Sequence, residues 1–318
     1  MRVHRLLIAL VVSLGPSGLA QAQFKQEDAQ GAKLGEARVQ RMQVGIVVNG
    51  TGVLCKGIVG YVAVPDEWPE QQVKIVEEDV SPGVKVSYQG VDGMAKAMEV
   101  KIPVLGPREE AKALVTFEVR RSPILPPDDT DRYVMPDLKK LDRQARMFLA
   151  PSPKIESRDP KIRSLAKQIG ADEPKAWKKV EAIYDWVRDH VEYKNGDLKG
   201  ALAALRDGTG DCEELSSLFV ALCRASDVPA RTVWVEGHSY PEFYLTDAKG
   251  VGHWFPCQAA GTRAFGEIPE TRPILQKGDN IHPPYNPRVP KRYLANNLTG
   301  TAASGQPQVQ FIRRMVSQ

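Results

Sequence analysis

Residues 210–231 read GDCEELSSLFVALCRASDVPAR, followed by WVEGHSYPEFYL at 234–245 and GHWFPCQAAG at 252–261. Gly208 and Gly210 break the chain just ahead of Cys212. Beyond it Leu215, Leu218, Phe219 and Leu222 recur at i, i+3, i+4 and i+7, which predicts one apolar face of a helix. Cys212 then falls in the first turn, beside unpaired N–H groups and the positive end of the helix dipole. Both favour the thiolate, the form of cysteine that attacks carbonyl carbon. Cys223, on the same helix among apolar neighbours, reads as a small buried hydrophobe.

His238 opens a predicted strand on which His238, Tyr240, Glu242 and Tyr244 share a face by period two. A lone histidine is ordinarily a surface or satisfied core residue. His238 comes one strand after Pro229-Ala230-Arg231, a placement that points to a catalytic base only through family resemblance. His253 and His282 are reserves for the same role, and His190 reads as structural. The order Gly-Asp-Cys-Glu, apolar helix, Pro-Ala-Arg, then His-x-x-x-Glu-x-Tyr resembles the transglutaminase-like family, a branch of the papain-like cysteine enzymes. The resemblance spans residues 159–288. It implies an α+β fold with helices packed on an antiparallel sheet, Cys212 as nucleophile and His238 as general base. The family's third position, the aspartate of a Trp-x-Pro-x-Asp motif, falls on Gln258 in Trp254-Phe255-Pro256-Cys257-Gln258. A glutamine carbonyl can accept an imidazole N–H and fix its orientation, but it brings no charge to an imidazolium.

The implied activity is acyl transfer from a peptide, protein or amide substrate through a thioester on Cys212, with the Cys212 N–H as an oxyanion donor. Hydrolysis is favoured over crosslinking, because water is always at hand outside the cell. The competing reading is a non-catalytic protein- or peptide-binding module with a degenerate Cys-His-Gln site. Arg231 reads as a structural fixture, and Asp211 and Glu213 as helix-start stabilisers. Cys212, His238 and Cys257 lack any C-x-x-C or H-x-x-x-H pairing, so the metal signal is weak and no cofactor is expected. A Cys212–Cys257 disulfide is the more serious alternative.

The remaining sequence bounds the setting. The 318 residues are 42% apolar and 26% charged, an ordinary globular balance with room for a sizeable core. Residues 1–22 form a predicted signal peptide: Arg2 and Arg5, the apolar run Leu6 to Leu14, Gly15-Pro16, and a cut after Ala22 in Ala20-Gln21-Ala22. The expectation is a secreted or periplasmic protein with no transmembrane segment. Removing Arg2 and Arg5 leaves 41 basic against 39 acidic residues. With no basic stripe interleaved with aromatics, nucleic acid is not an expected partner. Residues 23–36 read as a flexible lead-in and 37–125 as a β-sandwich domain of short β-branched strands at 44–48, 58–64, 73–76, 84–88 and 114–119. Residues 126–158 read as a connector with helix over 138–148. Helices are predicted over 159–170, 174–187 and 198–205, and strands over 231–235, 238–245 and 253–258. Residues 289–318 read as a basic, loosely ordered tail. Oligomeric state is left open.

Overall fold

Period-two alternation builds the first half of the chain. The computed structural model describes residues 31–302 and 305–317; the expected signal peptide and residues 23–30 of the lead-in lie outside them. In chain order come β1 (Lys33–Leu34), β2 (Arg38–Asn49), β3 (Cys55–Val64), β4 (Gln71–Val80), β5 (Lys85–Val91), β6 (Ala95–Leu105), β7 (Glu110–Arg121) and β8 (Ile124–Leu125). Met42, Val44, Ile46 and Val48 of β2 and Val115, Phe117 and Val119 of β7 point to one side of their sheet. Ile58 and Val62 of β3 and Met98, Val100 and Ile102 of β6 meet them from a second sheet, all in one buried cluster. The sheet of β2, β7 and β4 thus packs face to face on the sheet of β3, β6 and β5.

The second half adds β9 (Tyr133–Val134), α1 (Arg143–Met147), α2 (Pro160–Gln168), α3 (Ala176–His190), β10 (Glu192–Tyr193), α4 (Ala201–Asp207), β11 (Thr209–Gly210) and α5 (Cys212–Ala225). The chain then runs through β12 (Ala230–Val235), β13 (His238–Asp247), β14 (Gly252–Pro256), β15 (Ile274–Lys277), β16 (Asn297–Ala302) and β17 (Gln308–Val316). Asp159 caps α2 by accepting the Lys161 N–H at 2.8 Å, with Pro160 at the first helical position. Trp177, Val180, Ile183, Tyr184 and Val187 make the buried stripe of α3. That stripe, α5, and Phe243, Leu245 and Phe255 of the sheet form the second large core. Helices on an antiparallel sheet give the α+β class. No helix among the described residues is long and apolar enough to cross a membrane.

One sheet joins the two halves. Its order is β14-β13-β12-β15-β6-β3-β16, with β5 on β6 and β9 on β13. β15 touches β6 at the single pair Gln276↔Ala95. A buried chain of charges crosses the seam: Arg231 pairs with Glu242, Glu242 with Lys277, and Lys277 with Glu70, at 2.6–2.7 Å. Arg121 of β7 reaches Tyr240 of β13 at 3.0 Å. Arg231 is indeed a fixture, its guanidinium also lying 4.1 Å from the centre of the Trp254 ring.

Three expectations need correction. The tail is not loose. β17 pairs with β2 from Gln308↔Asn49 to Val316↔Arg41, and β16 pairs with β3, so the C-terminal segment closes an edge of each sheet. Its Val309, Phe311 and Leu298 pack on the sandwich core. An edge strand with one polar face is hard to tell from a basic tail until its partner is present. The lead-in is not wholly unstructured either, since Lys33 and Leu34 pair with Leu125 and Ile124. Third, β6 is an eleven-residue strand absent from the sequence reading. Ala95, Lys96, Ala97, Glu99 and Lys101 are poor strand formers, and pairing with β3 and β5 on either side overrides that preference.

Candidate active site

Cys212 is the first residue of α5. Gly208 ends α4 in the left-handed region (φ 64°), which glycine adopts without the cost other residues meet. Gly210 has no room for a side chain, because a Cβ there would lie 2.3 Å from Glu214 Cβ. Asp211 is the N-cap and accepts the Glu213 N–H at 2.8 Å. Glu214 completes a capping box from the other direction. This buried carboxylate accepts the N–H groups of Lys199 (2.7 Å), Gly200 (3.3 Å) and Asp211 (3.3 Å). Burial works against its charge, yet those three donors hold its pKa below the usual carboxylate value. The loop that delivers the thiol is thus fixed from within.

Half-buried Cys212 has Ser239 as a neighbour whose backbone N–H and hydroxyl favour the ionised sulfur, although the Ser239 hydroxyl makes no hydrogen bond to the thiol. Burial pushes the Cys212 thiol up, the charges of Asp211 and Glu213 push it further, and Ser239 opposes both; the net shift is upward. This corrects the sequence reading, in which the helix start alone favours the thiolate. The flanking acids that cap the helix also disfavour a negative sulfur. Cys223 and Cys257 are fully buried and raised well above the ordinary thiol value. All four cysteines are free, so the Cys212–Cys257 disulfide does not form.

His238 and Gln258 do meet. The His238 Nε2 lies 3.3 Å from Gln258 Oε1. An amide oxygen accepts, so Nε2 carries the proton and Nδ1 keeps the lone pair of a neutral ring. Burial lowers the His238 pKa, the Gln258 contact raises it, and the nearby Arg272 charge lowers it again; the net shift is downward. No hydrogen bond joins the imidazole to the sulfur. Arg272 lies near enough for its charge to be felt by both His238 and Cys212. It is anchored by Glu270 and by donating to the Glu236 carbonyl at 2.8 Å.

Several supporting residues are not read as functional from the sequence. Gln258 is clamped through its backbone: its N–H reaches the Ala264 carbonyl at 2.8 Å, and its carbonyl accepts from Tyr184 Oη (2.9 Å) and Arg188 Nη1 (3.0 Å). Arg188 also holds the carbonyls of Ala259 and Gly261. Tyr184 is legible only as core, and the Tyr184–Arg188 spacing of one helical turn is the signal that was available. From the C-terminal segment, Arg292 pairs with Glu213 at 3.0 Å and donates to Ser217 Oγ at 2.7 Å. The reserve histidines lie in other settings. His253 pairs with Asp247, His282 with Asp92, and His190 stacks on Trp186.

Residues 163–259 match the family model of the Transglutaminase-like superfamily. No curated protein matches the chain in sequence. Among solved structures, an inferred cysteine protease from Cytophaga hutchinsonii shares the fold, with a TM-score of 0.57, 19% identity, and coverage of 90% of this chain and 93% of that one. The periplasmic domain of TgpA from Pseudomonas aeruginosa, bound to ethylmercury, aligns over 70% of this chain and 90% of its own at 12% identity and a TM-score of 0.34. The matched segment runs from α2 through Cys212 and His238 to the residue after Gln258, and the chain therefore carries a transglutaminase-like core.

Proposed function

We propose that this protein is an exported cysteine acyl-transfer enzyme acting on peptide or amide substrates. Cys212 is the nucleophile, His238 the general base and Gln258 the group that orients the imidazole. The observation that carries this reading is the His238–Gln258 contact at 3.3 Å, one residue away on β13 from Ser239, a neighbour of the Cys212 sulfur. With its Nε2 proton committed to Gln258, His238 takes the thiol proton at Nδ1. The sulfur pair then bonds to the carbonyl carbon, and the oxygen takes the negative charge. The Asp211 cap uses the Glu213 N–H, which leaves the Cys212 N–H as a donor for that oxyanion. His238 returns the proton to the departing amine, giving a thioester that water hydrolyses, in preference to transfer to an amine.

A raised thiol, a neutral orienter and an imidazole without a hydrogen bond to sulfur favour a second reading, a peptide-binding module without turnover. Turnover of a pooled set of peptide amides by the wild-type chain and by Cys212→Ala separates the two. Loss of all product in Cys212→Ala, with a substrate-derived adduct on Cys212 in the wild type, supports the enzyme. Equal turnover by both ends the enzyme reading. Equal peptide affinity with no turnover by either supports the binding module.

A further inference from the structure

Backbone hydrogen bonds along β13 alternate between its two neighbours. The Tyr244 N–H reaches the Pro229 carbonyl on the β12 side, whereas the Pro241 carbonyl accepts the Cys257 N–H on the β14 side. By that alternation the Ser239 N–H points to the β14 side, where β14 has already ended at Pro256. Side chains alternate as well. Phe243 and Leu245 pack into the core around α5, and Tyr240 into a separate cluster on the opposite face. The Ser239 hydroxyl therefore stands on the face of β13 that carries α5. Ser239 is only 2% exposed, and its Oγ is sealed from water and makes no hydrogen bond among the described residues, to the Cys212 sulfur or to anything else. A buried hydroxyl left in that state is costly unless it serves something else. Cys212 begins the helix packed on that face, close enough for both Ser239 donors to favour a negative sulfur.

We infer that Ser239 is a further catalytic residue: once Cys212 ionises, its N–H and its unpartnered hydroxyl donate to the sulfur and stabilise the thiolate in the interval before attack. The inference rests on Cys212 being the nucleophile. In that step the S–H bond breaks, its proton passes to His238 Nδ1, and the electron pair stays on sulfur until it bonds to the acyl carbon. Ser239 gives up no proton. It supplies two dipoles where no cation among the described residues touches the sulfur, as backbone and hydroxyl donors do at other anion sites.

Iodoacetamide labelling of Cys212 in the full chain, followed by mass mapping across pH, reads the thiolate directly and needs no substrate. Ser239→Ala is expected to move the midpoint of labelling upward by about one pH unit, so that labelling near neutral pH slows roughly tenfold. Ser239→Thr keeps the hydroxyl and is expected to stay within about twofold of the wild type. Protection of Cys223 in the same digests reports that each variant is folded. A Ser239→Ala profile that superimposes on the wild type overturns the inference. So does a Ser239→Thr profile displaced as far as that of Ser239→Ala, because shape rather than the hydroxyl would then be at stake. A missing peptide turnover would count against the acyl-transfer reading alone.

Discussion

The two ends of α5 hold their charged groups by opposite means. At the C-terminal end Arg224 and Asp279, each only 1% exposed, meet through two contacts of 2.7 and 2.8 Å. The acid also accepts from Ser152 and from the Thr232 N–H, and Arg224 donates to the Ala230 and Ala150 carbonyls. At the N-terminal end no side-chain cation among the described residues touches Glu214 or Cys212. Backbone N–H groups satisfy Glu214, and the Ser239 donors lie near the thiol and favour its ionised form. An ion pair quenches both partners, which suits a joint between helix and sheet. Backbone and hydroxyl dipoles hold an anion without cancelling it, which suits a group that must react. A cavity of about 650 Å³, lined in part by Met94, Phe148, Arg224 and Asp279, opens at the paired end, not at the thiol.

The contrast breaks most visibly at Arg224. Arg224→Ala strands a buried Asp279, and the expected loss of folding stability is about 3–5 kcal/mol in a urea titration. The labelling rate of Cys212 in the molecules that stay folded should not change. A loss below about 1 kcal/mol would mean that the pair is not the joint described.

A pH profile sharpens the other end. In the proposed mechanism the working form has a neutral His238 and a protonated Cys212. His238 titrates below its ordinary value of about 6.5 and Cys212 above its ordinary value. Turnover per mole should therefore rise with pH through the lowered His238 value and stay level through neutrality. A profile still climbing tenfold per pH unit above about pH 8 would point to a free thiolate as the reactive species instead.

The smallest effect is expected at Gln258. Its contact is one neutral hydrogen bond, about 0.5–1.5 kcal/mol, so Gln258→Ala should slow turnover by roughly tenfold at most. Because the Gln258 contact raises the His238 pKa, its loss should also move the acid limb to lower pH. Gln258→Asp restores the family's charged orienter, and a faster rate is expected if the shorter side chain still reaches Nε2. A thousandfold loss in Gln258→Ala would show that this residue does more than orient.

Local sequence was enough for α5 and the strands beside it. Glycine breaks, an acidic cap and a 3.6-residue apolar repeat act within a few residues of one another, and so the start of α5 at Cys212 is readable locally, whereas His238 and Gln258 stand out only through the family resemblance. What escaped reading depends on partners far along the chain. β17 alternates weakly and becomes a strand because β2 offers an open edge some 270 residues earlier. Arg292 looks like surface charge until Glu213 and Ser217 close around it. The upward shift of Cys212 depends on how deeply the sheet buries it, which no local pattern reports.

The central claim is that Cys212, not Cys223 or Cys257, is the reactive thiol of the folded chain, and competitive alkylation with mass mapping at neutral pH tests it directly. The account predicts that Cys212 is labelled first in the native protein, with Cys223 and Cys257 labelled only after unfolding, because both are fully enclosed. A native protein in which Cys212 stays unlabelled, with or without reductant, while unfolding exposes all four cysteines equally, would contradict it.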